Sequence, residues 1–363
     1  MSSEWISRQP FWLALALLLA AANCLVAINL NTTLAFHPFL LRLPGLLFFA
    51  AGMGITYWLG RKFFGAGAVM LALIIMASSP LLSNSFKWAT GDAWIWFLLI
   101  ATSLGMLGFL KQPRWYWRLL VWGSWTAALA IQPLEALAGV MAIAVIWRFR
   151  HPKGKNLDGL YLWIIGPAVA AAVWCWGGSG LTGMDFLWSW TSGRVPSGYG
   201  LQILGVFPWV GFLAAGAVDL VRNRSKGEEL TVLLSGLAIG ALLSNTLFLQ
   251  WAFALLAAKQ LQRFFEPGYP NGNIVKTLTV LQLVAWLLLG IGGLVYGYSQ
   301  TGAQGFRAGM SLIMAFWIPG FFGVVGLFGK HHRLMTLGLA FGALLLTLAF
   351  WQNIHALLLV RNF

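Results

Sequence analysis

The sequence predicts an all-α fold, a polytopic bundle of transmembrane helices, on the strength of three observations. Of its 363 residues, 60% are hydrophobic and 9% are charged, whereas about 25% are charged in soluble domains. The charges fall in short clusters between long apolar runs, so lipid must be the solvent. The 21 Trp indicate the same, because indole favours the boundary between headgroups and hydrocarbon. We expect residues 1–363 to form a single transmembrane domain, with no soluble domain.

Apolar runs bounded by charges, Gly and Pro predict thirteen transmembrane helices. Each run is near, or slightly shorter than, the roughly 17–25 residues that a bilayer requires. The predicted spans are residues 11–30, 41–59, 66–83, 93–110, 117–131, 134–147, 159–178, 201–220, 230–245, 247–262, 277–298, 309–328 and 334–352. The first run lacks a convincing small-residue cleavage site, so we interpret it as a retained helix and not as a signal peptide.

The distribution of basic residues predicts a cytoplasmic N-terminus. With that orientation, the inner loops carry 18 of the 23 basic residues and the outer side carries the other 5. The outer five are Arg42, Lys87, Arg194, Arg307 and Arg361. Loops rich in Lys and Arg resist translocation, so the asymmetry supports both the orientation and the number of spans. Because the formal charge of +14 lies in such loops, it does not predict a nucleic-acid partner.

Few carboxylates are available for chemistry at the outer face. Of nine acidic residues, six fall in or beside predicted inner loops, where they are expected to neutralise basic neighbours. Those six are Glu4, Asp158, Asp219, Glu228, Glu229 and Glu266. The outer three are Asp92, Glu135 and Asp185.

Asp92 and Glu135 are the candidate catalytic residues, and each has a structural alternative. Asp92, at the start of the fourth span, is either an N-cap carboxylate or a ligand for a divalent cation or a substrate hydroxyl. The two roles are compatible. Glu135 follows Gln132 and Pro133 at the start of the sixth span. It is either a helix-start charge or an ionisable group that faces the bundle interior or water.

Lys87, Arg194 and Asp185 are the candidate residues for binding a lipid phosphate or a substrate. An Arg binds phosphate through a bidentate fork, whereas the alternative for either cation is anchoring at the membrane interface. Asp185 and Arg194 lie in the longest outer connection, residues 179–200, which is long enough for an interfacial helix. The two Cys lie in apolar segments and indicate no metal site. No cofactor is expected unless the chain is an active enzyme, in which case Asp92 is a candidate ligand for a divalent cation.

Six short stretches, taken in their order and spacing over roughly residues 40–220, carry a resemblance to a known superfamily. They are Arg42-Leu43-Pro44-Gly45, Leu59-Gly60-Arg61-Lys62-Phe63-Phe64-Gly65, Ser79-Pro80, Gly91-Asp92, Pro133 and Pro208-Trp209. The chain resembles the GT-C superfamily of membrane glycosyltransferases, in particular the bacterial aminoarabinose transferases and the protein O-mannosyltransferases. The resemblance implies a multi-pass protein of the bacterial inner membrane, in which a polyprenyl-phosphate-linked sugar enters from the bilayer and is transferred at the periplasmic face.

The resemblance also implies an essential acid in the first outer loop and cations that hold the donor phosphate, and here the chain departs from the pattern. Residues 31–40 form a short loop with no Asp or Glu. Gln132 stands where the family has Lys before Pro, and Ser244-Asn245-Thr246-Leu247 stands where a Ser-Lys-Leu-Pro-like stretch is expected. The family's outer soluble domain has no counterpart before Phe363.

These departures predict a degenerate GT-C relative that no longer transfers sugar. It would serve as a subunit or scaffold of a membrane complex, with membrane lipid, including a polyprenyl phosphate in the former donor groove, and other membrane-protein subunits as partners. The alternative is an active transferase that uses Asp92 or Glu135, or that borrows a carboxylate from a partner chain. A transporter or lipid flippase is a third hypothesis, resting on the topology alone.

Overall fold

The computed structural model describes residues 12, 14–19, 38–85, 92–178, 203, 205–223, 228–244 and 246–359. Within these ranges only the backbone is described at residues 38–42, 83–85, 92, 134–135, 171–172, 174–178, 246, 300 and 350–359. The described residues form helices and the connections between them, with no strand, which confirms the all-α prediction over this part of the chain.

Helical residues occur in every predicted span, including residues 12 and 14–19 in the first. The described helices are α1 (Pro38–Ile55), which continues through a π-helical turn (Thr56–Gly60) into α2 (Arg61–Phe64), then α3 (Ala66–Ser78), α4 (Pro80–Ser85), α5 (Asp92–Lys111), α6 (Trp115–Ile131), α7 (Pro133–Arg150), a 3₁₀ helix (Gly154–Leu160), α8 (Tyr161–Gly178), α9 (Val210–Asn223), α10 (Glu229–Leu243), α11 (Thr246–Phe264), α12 (Gly272–Thr301), α13 (Ala303–Phe328) and α14 (His332–Leu359).

By length and composition, five helical stretches of the described chain are able to cross a bilayer. They are Leu43–Phe64, Ala93–Lys111, Gly272–Ser299, Ala303–Phe328 and His332–Ala349. Together with shorter apolar helices such as α3 and α10, they make the chain a multi-pass membrane protein, as predicted. The total of thirteen spans and the cytoplasmic N-terminus stay predictions.

Prolines move two of the predicted boundaries. The predicted span 66–83 is broken at Ser79, whose backbone is extended (φ −67°, ψ 118°), because the residue before a proline is disfavoured in helical conformation. The predicted span 201–220 becomes regular α-helix only at Val210. A turn precedes it, in which Pro208 follows a cis peptide bond with Phe207. Proline has no backbone N–H to donate, so it suits a turn before a helix.

The last three helices begin earlier than predicted, because each passes through the basic residue that bounds the predicted span, namely Lys276, Arg307 and Arg333. The eleventh span was expected to begin after Lys276, yet α12 begins at Gly272. The ammonium of Lys276 lies 5.4 Å from the centre of the Phe328 ring. A cation held against an aromatic face is compatible with a helix end at the membrane surface.

Several tryptophans belong to the core and not to the interfacial belt that composition suggested. Trp125, Trp147, Trp209 and Trp251 are fully buried. The indole N–H of Trp125 donates to the Ile164 carbonyl (3.0 Å), and that of Trp147 donates to the Leu233 carbonyl (3.2 Å). An indole is tolerated in a core when its N–H finds an acceptor there.

The helices α12, α13 and α14 pack against each other through glycines. A Cβ on Gly297 would lie 2.9 Å from the Gly305 carbonyl oxygen, and one on Gly309 would lie 2.6 Å from the Leu294 Cα. A Cβ on Gly338 would lie 2.6 Å from the Pro319 carbonyl oxygen. Small residues let helix backbones approach closely, and this is the main source of helix association in lipid.

Replacing Gly338 with alanine is therefore expected to separate α13 from α14. The added methyl overlaps backbone that has no room to move, so we expect a loss of about 1–3 kcal/mol in the free energy of unfolding. The measurement is the thermal midpoint of the detergent-solubilised full chain. Gly292→Ala is the matched control, because a Cβ there meets nothing within 4 Å. Equal midpoints for the two variants would contradict the close approach of the helices.

Candidate functional site

A group of buried neutral side chains lies where α3, α11 and the turn before α9 meet. We call Ser78, Ser79, Gly205, Trp209 and Gln250 the Ser79 cluster. The Ser78 hydroxyl donates to the Ile74 carbonyl (2.8 Å) and accepts from the Trp209 indole (3.0 Å). The Ser79 hydroxyl donates to the Gly205 carbonyl and lies 3.4 Å from the Gln250 carbonyl oxygen. The cluster joins three elements that are far apart in sequence.

The local sequence explains why the cluster forms there. Helix α3 stops before Pro80, so Ser79 is left outside regular helix and its hydroxyl is available to the turn. A Cβ on Gly205 would lie 2.7 Å from the Leu81 Cβ and 3.1 Å from the Gln250 amide nitrogen, so only glycine fits. The stretches Ser79-Pro80 and Pro208-Trp209, which carry part of the sequence resemblance, are therefore neighbours in space.

A second buried hydrogen bond ties α11 to the π-helical turn. The Trp251 indole donates to the Thr56 hydroxyl (3.0 Å), and both side chains are fully buried. Beyond this turn, Arg61 lies over the Tyr57 ring and Lys62 over the Trp58 ring, at 5.4 and 5.3 Å from the ring centres. The resembling stretch that begins at Leu59 therefore starts within a helical turn that is hydrogen-bonded to α11.

Two of the predicted site residues lie at helix starts, and the other three lie outside the residues that the structure describes. Asp92 is the first residue of α5 and Glu135 is the third residue of α7, positions that the structural and the functional interpretation share. Their side chains, and the whole of Lys87, Asp185 and Arg194, lie outside the described residues. In the described part of the chain, no three His, Cys, Asp or Glu side chains are grouped so as to hold a metal ion.

Sequence reasoning missed the Ser79 cluster as a site. Pro208-Trp209 and Ser79-Pro80 were noted only as resemblances, and Gln250 was not singled out. Gln250 is 1% exposed and interrupts the apolar run Leu247-Phe248-Leu249. An amide within an apolar stretch of a predicted span is a signal for a buried hydrogen-bonded contact, because an unsatisfied amide in lipid is costly.

The charged residues gather at the other end of the bundle, where α2, α5 and α7 end and α10 begins. We call this the basic end. The Lys111 ammonium lies 3.6 Å from a Glu229 carboxylate oxygen, and the His151 Nε2 lies 3.5 Å from the same oxygen. The Lys111 ammonium also lies 5.5 Å from the centre of the Phe63 ring, at the end of α2. Four segments that are separate in sequence therefore meet there.

Three of the predicted inner acids pair with basic residues, as expected. Besides Glu229, the Asp219 carboxylate accepts from Arg263 at 3.2 Å, and Asp158 accepts from Arg148. Asp219 also accepts from Asn223 (2.8 Å). These are contacts at the end of the bundle opposite to the Ser79 cluster, because α9 and α11 each run from that cluster to the basic end.

His151 is a buried titratable group of the basic end. Its side chain is 1% exposed, and its Nδ1 accepts from the backbone N–H of Lys153 (3.1 Å). Burial lowers the pKa of His151 below its usual value, and Lys111 and Lys153 act in the same direction, while Glu229 opposes them. The buried imidazole is therefore held in its neutral form.

The likeness of this chain to known proteins lies in its structure and not in its sequence. No protein-family model matches the sequence, and no curated protein matches it. In structure, the chain is similar to ArnT from Cupriavidus metallidurans bound to undecaprenyl phosphate, with a TM-score of 0.56, 14% identity, and coverage of 86% of this chain and 63% of that chain. The apo state of the same ArnT gives a TM-score of 0.56, 16% identity, and coverage of 85% and 62%.

The chain has a GT-C-like fold. The GT-C-like fold confirms the sequence resemblance, and since the likeness covers 86% of the chain, it extends beyond residues 40–220. At 14–16% identity the likeness concerns the fold alone. The chain spans less than two thirds of the length of either ArnT chain.

Removing the indole N–H of Trp209 is expected to weaken the Ser79 cluster. In Trp209→Phe, the Ser78 hydroxyl loses its donor in a fully buried position, and we expect a loss of about 1–3 kcal/mol in the free energy of unfolding. The thermal midpoint of the solubilised chain measures it. Trp115→Phe, at a side chain that is 70% exposed, is the control and should leave the midpoint nearly unchanged. A midpoint for Trp209→Phe equal to that of Trp115→Phe would show that the cluster does not hold these helices together.

The depressed pKa of His151 predicts a loss of stability on acidification. Above the unfolded-state pKa, about 6.5, both states are neutral and the contribution is fully present. As the pH falls from there towards the folded-state pKa, the unfolded state takes up the proton first, so the free energy of unfolding decreases. Thermal midpoints across this pH range should fall for the wild-type chain and fall less for His151→Gln. Parallel pH profiles for the two proteins would refute the assignment.

Proposed function

We propose that this chain is a non-catalytic GT-C-like protein of the bacterial inner membrane that binds a polyprenyl phosphate and serves as a subunit of a membrane complex. The observation that carries the proposal is the chemistry of the Ser79 cluster. Its hydroxyl, amide and indole groups are neutral, and they hold α3, α11 and the turn before α9 together. Hydrogen bonds of this kind stabilise the packing of the helices. A transferase, by contrast, needs a base and a group that stabilises the leaving phosphate.

The sequence of the first outer loop supports the same proposal. Residues 31–40 contain no Asp or Glu, so this loop has no carboxylate to accept a proton from an incoming nucleophile. Gln132 and the segment that begins at Ser244 likewise offer no cation to a phosphate. We propose that no metal or other cofactor is required.

The proposed topology has thirteen spans with the N-terminus in the cytoplasm. It places the ends of α2, α5 and α7 and the start of α10 on the same side of the membrane, and the contacts among Phe63, Lys111, His151 and Glu229 fit that arrangement. It places the Ser79 cluster on the opposite, periplasmic side. The excess of basic residues in the predicted inner loops sets the direction.

The lipid and the partner subunits are proposed from the fold and from the exposed surface. The structurally similar ArnT was solved with undecaprenyl phosphate bound, which supports a polyprenyl phosphate as the lipid of this fold. Helix α12 exposes large apolar side chains, among them Leu288 (64%) and Leu289 (69%). We propose that this face is covered by lipid and by the spans of partner subunits.

An active transferase is the second candidate function. Asp92 and Glu135 favour it, because both lie in the first turn of a helix at the end where the topology places the periplasm. In that case Lys87, Arg194 and Asp185 would bind the donor phosphate or the acceptor, and Asp92 would be the residue to hold a divalent cation.

Asp92→Asn and Glu135→Gln separate the two functions. A scaffold should keep its partners in both variants, and membranes that contain the wild-type chain should show no transfer from a polyprenyl-phosphate sugar that depends on it. The measurements are mass spectrometry of the complex purified from native membranes, and transfer of labelled sugar in those membranes. Asp158→Asn, at the basic end, is the control for loss of one carboxylate. Transfer that Asp92→Asn abolishes in a folded chain would overturn the proposal, as would a wild-type protein that purifies without partners.

A further inference from the structure

A cavity of about 300 Å³ lies between the ends of α9, α10 and α11, at the basic end. Its charged lining residues are Asp219, Glu228, Lys259, Arg263 and Glu266. Its apolar lining includes Leu234 and Leu256. The cavity therefore combines cations, carboxylates and apolar surface, which is the composition expected around a lipid headgroup and the start of its chains.

The hydrogen bonds around the cavity leave its cations with unused capacity. Asp219 is occupied, since it accepts from Asn223, Gln260 and Arg263 at 2.8, 3.1 and 3.2 Å. One guanidinium nitrogen of Arg263 donates to Asp219, so the remaining N–H groups of this side chain are available to a ligand. The ammonium of Lys259 is only partly exposed, and no hydrogen bond or ion pair joins it to the described part of the chain. Lys259 and Arg263 are one turn apart on α11 and face the same space.

The charges are ordered along the cavity. Helix α11 approaches the basic end, so Leu256 is deepest, Lys259 and Arg263 follow, and Glu266 lies beyond the helix end. Helix α10 leaves the basic end, so Glu228 stands at its start and Leu234 lies about one and a half turns inside. Glu228 and Glu266 are both exposed, whereas Gln260 is buried. From the bundle interior outwards, the lining is thus apolar, then a middle part in which Lys259 and Arg263 lie with the Arg263-bonded Asp219, then the outer carboxylates Glu228 and Glu266.

We propose that this cavity binds the phosphoethanolamine group of a membrane phospholipid. The phosphate would accept from Lys259 and Arg263, and the ammonium would lie between Glu228 and Glu266. In a bilayer the phosphate of such a lipid is nearer the hydrocarbon than its ammonium, which is the order of charges in the cavity. Leu234 and Leu256 would meet the start of the acyl chains.

The carboxylates make the site selective for headgroup chemistry. A purely anionic headgroup would place its phosphate near the two cations but would bring further negative charge towards Glu228 and Glu266. An ethanolamine headgroup presents its phosphate to the two cations and its ammonium to the two carboxylates. The site also differs from that of the polyprenyl phosphate in the proposed function, because the cavity lies at the basic end, whereas the resemblance places the former donor groove at the periplasmic face.

The test is native mass spectrometry of the detergent-purified full chain titrated with phosphatidylethanolamine, phosphatidylglycerol or phosphatidylcholine. Wild type should retain phosphatidylethanolamine most strongly. Lys259→Met should weaken its binding roughly tenfold, the usual effect of losing one charge-assisted hydrogen bond. The double variant Glu228→Gln, Glu266→Gln should bind phosphatidylglycerol as tightly as it binds phosphatidylethanolamine.

Competition with free O-phosphoethanolamine shows whether the cavity binds the soluble compound or the phospholipid. Displacement of the lipid assigns the site to the soluble compound, and retention of the lipid assigns it to the phospholipid.

Two control variants keep the result interpretable. Lys276→Met removes a cation that lies against Phe328 and not in the cavity, so it should bind phosphatidylethanolamine like wild type. Lys259→Arg keeps the charge and should retain most of the binding, which separates loss of charge from misfolding. The proposal is wrong if phosphatidylglycerol binds wild type as tightly as phosphatidylethanolamine, or if Lys259→Met and Lys276→Met bind it equally.

Discussion

Two interruptions of helical backbone meet at one end of this bundle, and the bond between them is the constraint on which the other contacts there depend. The chain leaves helix at Ser79 and again before Val210, and the Ser79 hydroxyl donates to the Gly205 carbonyl. Non-helical backbone at membrane depth is tolerated only where protein supplies its hydrogen bonds. The indole of Trp209 then anchors the same turn to Ser78. This mutual arrangement places α3, α9 and α11 side by side.

The sequence predicted the helices well because hydrophobic length is a strong local signal. It predicted less about their ends. Pro80 interrupts a helix that the apolar run predicts as continuous. The helix predicted to begin after Lys276 begins before it. Buried tryptophans were also assigned to the interface, because composition does not show whether an indole N–H has found a carbonyl. The GT-C-like fold was recognised from sparse motifs, two of which prove to be neighbours in space.

The candidate site was less predictable, because its polar groups are distant in sequence and ordinary in type. Nothing local marks Ser79 as the partner of Gly205, more than a hundred residues away. The predicted pairing of acids with bases at the other end was confirmed for Asp158, Asp219 and Glu229, since the helix ends and short connections that carry these charges lie at the same end of the bundle. Asp92 and Glu135 could be placed at helix starts, because the apolar runs that follow them mark where the helices begin.

The glycine contacts of α12, α13 and α14 bear on how the protein is assembled during synthesis. Each contact joins helices that follow one another directly in the chain, and it uses backbone atoms in place of a specific side chain. Such a unit can close as soon as its last helix has left the translocon, without waiting for the earlier spans to settle. These three helices, residues 272–359, would then dock as a finished piece against the helices that precede them.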